Sequence, residues 1–363
     1  MLKNKILVAM SGGIDSSSTA YLLKEQGYTV RGVMMRLLPE DMESISHFKE
    51  SRDDAARVCD LLQIPFTVLD LRHDFHEQVI APFMHAYMVG ETPNPCVNCN
   101  RFLKFGRLIS YARELGMNQI ATGHYVRLAY RETYGRKVLL QGHDRGKDQS
   151  YFMYRLTPEQ LDFSLFPLGE YQKDEIRVIA KSLGIDVEKK GESQEICFIP
   201  DDDYRSFLKE KSTGGLVPGN FVDGNKKVLG THQGLAFYTV GQRKGLQIAL
   251  GYPAYVIDMD PISNTIRLGK KEELERSVFF VKNCNFNAIL DPIAPYQALI
   301  KVRYRSPAVE GIVYPEHNGL RRIELSNTAS AIAPGQSSVF YDREGVLLGG
   351  GIIVRESGFE SVS

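Results

Sequence analysis

Long apolar runs are absent from this sequence, and so is an excess of charge of either sign. No stretch approaches eighteen consecutive apolar residues, so the sequence predicts no transmembrane helix. The 44 basic and 44 acidic side chains cancel, so the overall charge does not indicate a nucleic-acid partner. A surface for such a partner would have to be a local basic patch. Fixed-period repeats and low-complexity segments are also missing.

Cysteine is scarce as well, with five residues in a chain of 363. The first apolar run, residues 6–10, is too short for a signal peptide and leads into Ser11-Gly12-Gly13 rather than a cleavage site. We therefore expect a cytoplasmic protein whose cysteines are buried, metal-binding or catalytic rather than paired in a disulfide framework. The apolar content of 43% and charged content of 24% are typical of a globular protein, and the length predicts two or three domains.

Strand and helix patterns alternate through the first half of the chain. Short β-branched and apolar runs predict strands at 5–10, 28–36, 66–71 and 119–122. Apolar residues at helical spacing predict helices at 15–26, 51–62, 100–115, 148–156 and 173–183. Such alternation is typical of an α/β fold, in which helices cover both faces of a parallel sheet.

The pattern changes after about residue 205. Glycine and proline interrupt short segments up to residue 276, which indicates a small mixed module. Alternating runs such as 299–305 and 346–354 then lie between turn signals, which predicts an all-β sandwich or a small barrel. We expect three domains: an α/β domain at 1–204, a small central domain at 205–276 and a β-domain at 277–363.

The strongest motif runs from Met10 to Ser16, between the first predicted strand and the first helix. Two glycines let backbone N–H groups approach an anion, and the helix N-terminus adds positive potential, so we expect a phosphate-binding turn. The sequence has no Gly-Lys-Ser/Thr and no Gly-x-Gly-x-x-Gly, which excludes a Walker loop and a dinucleotide fingerprint. The form SGGxDS resembles the PP-loop of ATP pyrophosphatases, in which Asp15 would help to hold Mg²⁺. The alternative is an ordinary glycine-rich turn.

Two further segments contain cysteine. Prolines stiffen the loop before Cys99, and a helix start with Arg101 and Lys104 nearby favours a reactive thiolate there. The spacing of Cys96 and Cys99 also suits metal or redox chemistry, but the sequence has no second pair for a zinc site, and an inert thiol is the alternative. Cys197 follows a polar stretch and precedes an apolar one and, taken alone, is more typical of a core residue.

Three other groups are candidates for substrate contact. His124 follows a predicted strand, where open sheets bind ligands, but a structural histidine fits equally well. Residues 146–150 suit phosphate or RNA-backbone contact, or alternatively a solvated helix cap. Lys301, Arg303 and Arg305 alternate and are predicted to form a basic stripe on one strand face, with a merely solvated face as the alternative.

Eight sequence blocks, taken together and in order, resemble the tRNA-specific 2-thiouridylase family. They are MSGGIDS, TPNPCVNCNRFLKF, ATGHY, GKDQSYF, ESQEICFI, GQRKGL, KVRYRS and APGQSSVFY, and they cover nearly the whole chain. The resemblance implies a PP-loop catalytic domain, a small central domain and a C-terminal β-barrel that binds tRNA. It also implies an ATP-dependent sulfurtransferase that makes 2-thiouridine at the wobble position of tRNAs for Lys, Glu and Gln.

Site residues follow from the resemblance, position by position. ATP-binding residues are expected at Ala9, Met10, Ser11, Gly12, Gly13, Ile14, Asp15, Ser16, Met35 and Gly123. Contacts to the target base or to tRNA are expected at Asn94, Pro95, Cys96, His124, Lys147, Asp148, Gln149, Arg303, Tyr304, Arg305 and Gln336. Cys99 matches the family's first catalytic cysteine, and Cys197 matches the cysteine that carries a persulfide. Cys59 and Cys284 lie outside the matched blocks and are expected to be structural.

The implied reaction has two stages. The C2 oxygen of uridine attacks the α-phosphate of ATP and gives an adenylated base, because AMP is a better leaving group than oxide. A persulfide on Cys197 then delivers sulfur to C2, and attack by Cys99 leaves a Cys99–Cys197 disulfide to be reduced. The wobble base lies in a single-stranded loop and is turned out without opening a duplex. A cysteine desulfurase or a sulfur relay protein is the implied sulfur donor.

One position departs from the family pattern, and two other functions are open. Many members have Asp where this chain has Cys96, so a thiol with a pKa of about 8.5 replaces a carboxyl near 4. Cys96, Cys99 and Cys197 would alternatively ligate a [4Fe–4S] cluster. A PP-loop ligase for a small metabolite would need neither two separated cysteines nor a β-barrel. A non-catalytic RNA-binding protein would leave the intact SGGIDS turn unexplained.

Overall fold

A five-stranded parallel sheet organises the first half of the chain. The computed structural model describes residues 4–43, 47–185, 196–199, 203–211 and 216–355. The strands are β1 Lys5–Ala9, β2 Thr29–Arg36, β3 Phe66–Asp70, β4 Gln119–Ala121 and β7 Ser164–Leu165, in the spatial order β3-β2-β1-β4-β7. Each neighbouring pair is parallel. Leu7 packs into one buried cluster, whereas Ile6 and Val8 pack into another, so both faces of the sheet are covered, as predicted.

Helical segments connect these strands. The α-helices are α1 Ile14–Glu25, α2 Phe48–Leu61, α3 Arg72–Phe75, α4 Ala81–Met88, α5 Pro95–Asn98, α6 Leu108–Glu114, α7 Pro158–Asp162, α8 Lys173–Ser182 and α9 Tyr204–Lys211. π-Helical turns at His76–Ile80 and Cys99–Arg107 join α3 to α4 and α5 to α6. Short 3₁₀ turns lie at Glu40–Met42, Glu132–Tyr134, Ser150–Met153, Pro167–Glu170, Leu235–Phe237 and Lys271–Leu274. In the described part of the chain, no helix has both the length and the apolar character needed to cross a membrane.

The remaining strands form three antiparallel or mixed units. A hairpin consists of β5 Val126–Arg131 and β6 Arg136–Gln141. A four-stranded sheet contains β8 Gly219–Val222, β9 Val228–His232, β10 Tyr255–Asp260 and β11 Thr265–Gly269, in the order β10-β11-β8-β9. The last unit is a closed barrel, β12-β15-β14-β13-β16-β17, formed by β12 Glu275–Phe286, β13 Tyr296–Lys301, β14 Val309–His317, β15 Leu320–Ser330, β16 Ser337–Tyr341 and β17 Leu347–Ile353. The predicted fold class is confirmed, and the last unit is a barrel rather than a sandwich.

Two predicted elements are wrong. The helix expected at 148–156 is only the 3₁₀ turn Ser150–Met153, because barrel contacts determine this segment: the Tyr151 hydroxyl donates to the Ser337 carbonyl at 2.7 Å. The strand expected at 299–305 ends at Lys301, where the chain turns and Ser306 N–H donates to the Arg303 carbonyl at 3.2 Å. Lys301, Arg303 and Arg305 therefore do not form a stripe on one strand face.

The barrel also forms hydrogen bonds with the segment that precedes Cys96. Thr92 N–H donates to the Pro334 carbonyl at 2.8 Å, and the Gln336 side-chain amide donates to the Thr92 carbonyl at 2.9 Å. A Cβ on Gly335 would lie 2.8 Å from the Thr92 nitrogen, so glycine permits this close approach. We call residues 334–336 with Thr92 the barrel clasp.

Candidate active site

The glycine-rich turn after β1 opens onto the N-terminus of α1. Gly12 has φ +73°, and a Cβ there would lie 2.2 Å from the Ser51 carbonyl oxygen, so only glycine fits. The Ser16 hydroxyl accepts a hydrogen bond from Ser11 N–H at 3.1 Å and closes the turn. Among the described residues, no side chain caps α1 at Gly13. The positive end of the helix is therefore open to an anion, as phosphate binding requires.

The other predicted nucleotide residues lie beside this turn. Because β2 and β4 flank β1 in a parallel sheet, their carboxyl ends meet at the same edge. Met35 is half-buried near the end of β2. Gly123 follows β4, and a Cβ there would lie 2.9 Å from the carbonyl carbon of Asp15, so glycine lets the two segments touch. The residues predicted to bind ATP thus share one edge of the sheet, and their binding stays a prediction.

A buried lysine, Lys173, forms a salt bridge with the Asp15 carboxylate. Lys173 Nζ lies 2.7 and 2.8 Å from the two carboxylate oxygens, and the Tyr125 hydroxyl donates to one of them at 2.7 Å. The same ammonium lies 5.4 Å from the centroid of the Tyr125 ring. This network fixes Asp15 and places a cation beside the phosphate-binding turn, at the site where the sequence predicted a Mg²⁺ ligand.

Cys99 lies inside a continuous helical run rather than at its start. The run begins at Pro95, in α5, and continues through the π-helical turn that contains Cys99. Burial raises the pKa of the Cys99 thiol to about 11, and the smaller effect of Lys104 lowers it. The prediction of a thiolate favoured by a helix start is therefore wrong. The thiol is protonated at neutral pH. Its position in a π-helical turn is nevertheless one that is often found at functional sites.

Cys197 is exposed, and the residue that follows it is fixed in the core. The next residue, Phe198, is fully buried in a cluster of aromatic rings. Its ring packs edge-on against Phe75, Phe83 and Phe207, with centroid distances of 5.6, 5.2 and 5.5 Å. Burial of the Phe198 ring therefore fixes the position of the neighbouring, solvent-accessible Cys197 thiol. The preceding part of the predicted motif, residues 192–195, lies outside the described residues.

Lys104 is a cation shared by three thiols. Burial is the larger effect and raises the pKa of Cys96, Cys99 and Cys197, whereas the charge of Lys104 lowers the pKa of each. Cys99 and Cys96 also raise the pKa of Cys197, so the three thiols are close enough to interact electrostatically. Burial raises the pKa of the Cys197 thiol to about 12 and that of the Cys99 thiol to about 11, so both thiolates are disfavoured at neutral pH.

His124 connects the thiols to the glycine-rich turn after β1. Its Nε2 lies 3.4 Å from Lys104 Nζ and its Nδ1 lies 2.7 Å from the Thr122 hydroxyl. An ammonium only donates, so Nε2 accepts from Lys104 and Nδ1–H donates to Thr122. Burial, followed by Lys104, keeps the pKa of His124 well below its usual value, so the ring is neutral. His124 directly follows Gly123, whose backbone touches Asp15.

Replacing Lys104 is expected to make Cys197 less reactive. Lys104→Met removes the charge that lowers the pKa of Cys197, so we expect iodoacetamide to alkylate Cys197 about three- to tenfold more slowly at pH 8. In the wild type the rate should rise about tenfold per pH unit below the thiol pKa, because the thiolate fraction grows with pH. Peptide mass spectrometry measures both. Lys104→Arg keeps the charge and should react normally, and an unchanged rate in Lys104→Met would refute the assigned role.

The predicted tRNA contacts at 147–149 lie next to this network. The buried Asp148 carboxylate accepts from Gly142 N–H at 3.0 Å. The Gln149 side chain accepts from Tyr125 N–H at 3.0 Å. Lys147 is half-buried. Asp148 and Gln149 thus brace the loop that follows His124, while their predicted contact with tRNA is untested.

The remaining predicted contacts approach from two sides. Asn94 and Cys96 are half-buried, and Pro95 is buried. From the barrel, the Tyr304 ring packs 4.5 Å from the Phe152 ring. The other barrel positions are Arg303, which is half-buried, Arg305, which is exposed, and Gln336, which belongs to the barrel clasp. The structure therefore brings barrel residues to the segment that carries Cys96, and their RNA contacts stay predictions.

Three of the same side chains are the predicted ligands of an iron–sulfur cluster. The five cysteines are free thiols. Within the described residues, no three His, Cys, Asp or Glu side chains are grouped closely enough to hold a metal ion. Among the described residues, Cys96, Cys99 and Cys197 are thus not grouped as metal ligands, and their role as cluster ligands stays a prediction.

Comparisons with known proteins agree with this geometry. Family models match along the chain: the tRNA methyl transferase HUP domain at residues 4–201, the tRNA methyl transferase PRC-barrel domain at 205–270 and the aminomethyltransferase beta-barrel domain at 276–353. The tRNA-specific 2-thiouridylase MnmA of Moorella thermoacetica is 46% identical over 354 residues, which cover 96% of this chain and 98% of that protein. The chain belongs to the MnmA family of tRNA-specific 2-thiouridylases.

Other relatives extend this result. MnmA 2 of Clostridium botulinum is 44% identical over 353 residues, which cover 97% of this chain and 99% of that MnmA. Among solved structures, the U34-tRNA thiolase NcsA from Methanococcus maripaludis, with its [4Fe-4S] cluster, is 19% identical, with a TM-score of 0.35 over 58% of this chain and 65% of that chain. A similarity this low supports no conclusion about the MnmA site.

Lys173 is the site residue that the sequence analysis missed. It is the first residue of α8, in a Lys-Asp-Glu run that looks like a solvated helix start. A signal was present, however, because a cation is unfavourable at the positive end of a helix dipole. A lysine in that position implies a compensating partner, which the fold supplies as Asp15.

Proposed function

We propose that this chain is the sulfurtransferase that converts a tRNA uridine to 2-thiouridine at the expense of ATP. The observation that carries the proposal is an unbroken series of contacts between the glycine-rich turn and the three thiols. A phosphate-binding turn at Ser11–Ser16 touches Gly123, and the adjacent His124 contacts the lysine shared by three thiols. This continuity supports one common site for nucleotide activation and sulfur transfer.

We place ATP at the carboxyl edge of the parallel sheet. Its phosphates would lie at the open N-terminus of α1, with Gly12 and Gly13 allowing close approach of the backbone. Lys173 would supply a fixed positive charge to the phosphates. Attack of the uridine C2 oxygen on the α-phosphorus forms a C–O–P bond, and pyrophosphate leaves.

Sulfur transfer then follows with balanced atoms and electrons. The terminal sulfur of a Cys197 persulfide attacks C2, and AMP leaves with the original oxygen. Cys99 attacks the Cys197 sulfur of the resulting adduct, which releases the thiolated base and forms a Cys99–Cys197 disulfide. An external thiol reduces that disulfide. The exposure of Cys197 suits loading by a donor protein, whereas the buried Cys99 is protected from side reactions.

Metal requirements follow from the same contacts. Asp15 is the carboxylate that would hold Mg²⁺ delivered with ATP, and Lys173 competes for the same oxygens. Mg²⁺ would neutralise phosphate charge during adenylation. The described thiols do not form a cluster ligand set, so no step is assigned to a [4Fe–4S] centre.

The finer assignments rest on family resemblance. We propose the wobble uridine of tRNAs for Lys, Glu and Gln as the target, and a cysteine desulfurase or relay protein as the donor. We also propose the boundaries 1–204, 205–276 and 277–363 for the catalytic, central and tRNA-binding domains. The site residues predicted above to bind ATP and tRNA are proposed in the same roles.

Nucleoside mass spectrometry tests the function directly. Unmodified tRNA incubated with this protein, ATP, Mg²⁺, a cysteine desulfurase with cysteine as the sulfane-sulfur donor, and a reducing thiol should yield 2-thiouridine, and omission of ATP should abolish it. Pyrophosphate release should require tRNA. A PP-loop ligase for a small metabolite would instead release pyrophosphate with its own substrate and leave the tRNA unchanged, which would refute the proposal.

A further inference from the structure

A basic cleft of about 470 Å³ is lined by α9, the loop at 239–245 and the turn that follows β13 of the barrel. Three cations line it: Arg205 from α9, Lys244 from the GQRKGL segment and Arg303 from the turn after β13. No carboxylate is among its described lining residues. Because like charges are gathered without an acidic partner in the lining, the cleft suits an anion.

The GQRKGL segment is built as a rigid loop. The Gln242 side chain accepts from Thr239 N–H at 3.2 Å and donates to the Lys244 carbonyl at 2.9 Å. Gly241 has φ +89°, and a Cβ there would lie 2.6 Å from the Ala331 side chain, so the loop packs closely against the barrel. Lys244 is thereby presented on a fixed backbone rather than on a mobile one.

Arg303 is also held in place. Its Nη2 donates to the Val240 carbonyl at 3.0 Å and to the Ala331 carbonyl at 2.7 Å. Its buried Nε has no hydrogen-bond partner among the described residues. The backbone carbonyls orient the guanidinium without neutralising its charge, so the positive potential of the cleft is permanent.

The cleft is linked to the thiol site through a chain of neighbouring contacts. Arg303 precedes Tyr304, whose ring contacts Phe152, and the Phe152 carbonyl accepts from the Asn100 side chain at 3.2 Å. Asn100 follows Cys99. A polyanion with one base at Cys99 would therefore meet this cleft along its backbone, whereas ATP phosphates are already served by the turn at Ser11–Ser16.

We propose that this cleft binds a backbone phosphate of the tRNA substrate, with Arg205 and Lys244 as its contacts and GQRKGL as the presenting loop. The inference rests on the proposed function for its RNA partner. Phosphate contacts fix the register of a nucleic acid without reading its sequence. The cleft thus positions the tRNA while the catalytic domain acts on the base.

The test compares two double variants with the same change of charge. Arg205→Gln/Lys244→Gln empties the cleft of two cations, and Lys226→Gln/Lys227→Gln removes two exposed lysines from the β8–β9 turn. Fluorescence anisotropy with unmodified tRNA, over a range of salt concentrations, measures affinity. For the cleft variant we expect a Kd raised about tenfold and a salt slope reduced by about one for each lost contact. The KM for ATP should not change.

Three results would overturn the inference. The first is equal tRNA affinity in the cleft and control variants, with both folded by circular dichroism. The second is wild-type binding of inorganic pyrophosphate that only the cleft variant loses, which would make this a small-phosphate site. The third is a raised KM for ATP with normal tRNA binding. Failure of the proposed function is distinguishable, because the wild type would then form no 2-thiouridine whatever the variants bind.

Discussion

Cys197→Ser is expected to abolish 2-thiouridine formation while leaving adenylation intact. A serine carries no persulfide, so the thiolation rate should fall by about 10³-fold or more, as when a nucleophile is removed. The phosphate-binding turn is untouched, so tRNA-dependent pyrophosphate release should continue at a rate near that of the wild type. Nucleoside mass spectrometry and a pyrophosphate assay on the same sample separate the two stages.

Cys284→Ser is the matched control for this experiment. It makes the same thiol-to-hydroxyl change in β12 of the barrel, outside the three interacting thiols. Thiolation should persist in that variant. Retained thiolation in Cys197→Ser, or a loss of pyrophosphate release together with thiolation, would contradict the separation of roles between the turn and the thiol.

Gly12→Ala is expected to disable the use of ATP. The alanine would have to adopt φ +73°, which costs about 1–2 kcal/mol, and its Cβ would lie 2.2 Å from the Ser51 carbonyl oxygen. Relief of that overlap requires α2 or the turn to move, at a further cost of about 1–3 kcal/mol. Together these effects should reduce kcat/KM for ATP by about 100-fold or more. Steady-state pyrophosphate release at varied ATP concentration measures the change.

Gly27→Ala separates backbone strain from steric overlap. Gly27 also has positive φ, +84°, but a Cβ there meets no atom within 4 Å. The variant should therefore lose about 1–2 kcal/mol of folding stability while keeping its kcat/KM for ATP. Equal losses of activity in both variants would show that strain alone, rather than the contact with Ser51, determines the effect.

Local chemistry made the nucleotide turn predictable. A short apolar strand, two adjacent glycines and a helix start follow one another within Lys5–Glu25, and each signal comes from neighbouring residues. Lys173 was not predictable in this way, because its partner Asp15 lies 158 positions away. Only the parallel sheet, which brings distant strand ends to one edge, creates that contact.

The protonation of Cys99 shows a second limit of sequence reasoning. Nearby cations and a presumed helix start favoured a thiolate, and the cation Lys104 does lower the pKa of the thiol. Burial is the larger effect, however, and it comes from packing that only the fold determines. Arg303 is similar, since the alternation of charges predicted a strand face, whereas tertiary hydrogen bonds to Val240 and Ala331 turn the side chain inward.

The barrel clasp makes the last third of the chain part of the catalytic scaffold. Thr92, just upstream of Cys96, forms hydrogen bonds with Pro334 and Gln336. Gln336 lies 244 positions further along the chain than Thr92. The segment that carries Cys96 is therefore held in place by a module that lies far along the chain from the glycine-rich turn. A fragment that contains only residues 1–204 would keep the glycine-rich turn but would lose the barrel contacts that position the segment carrying Cys96 and Cys99.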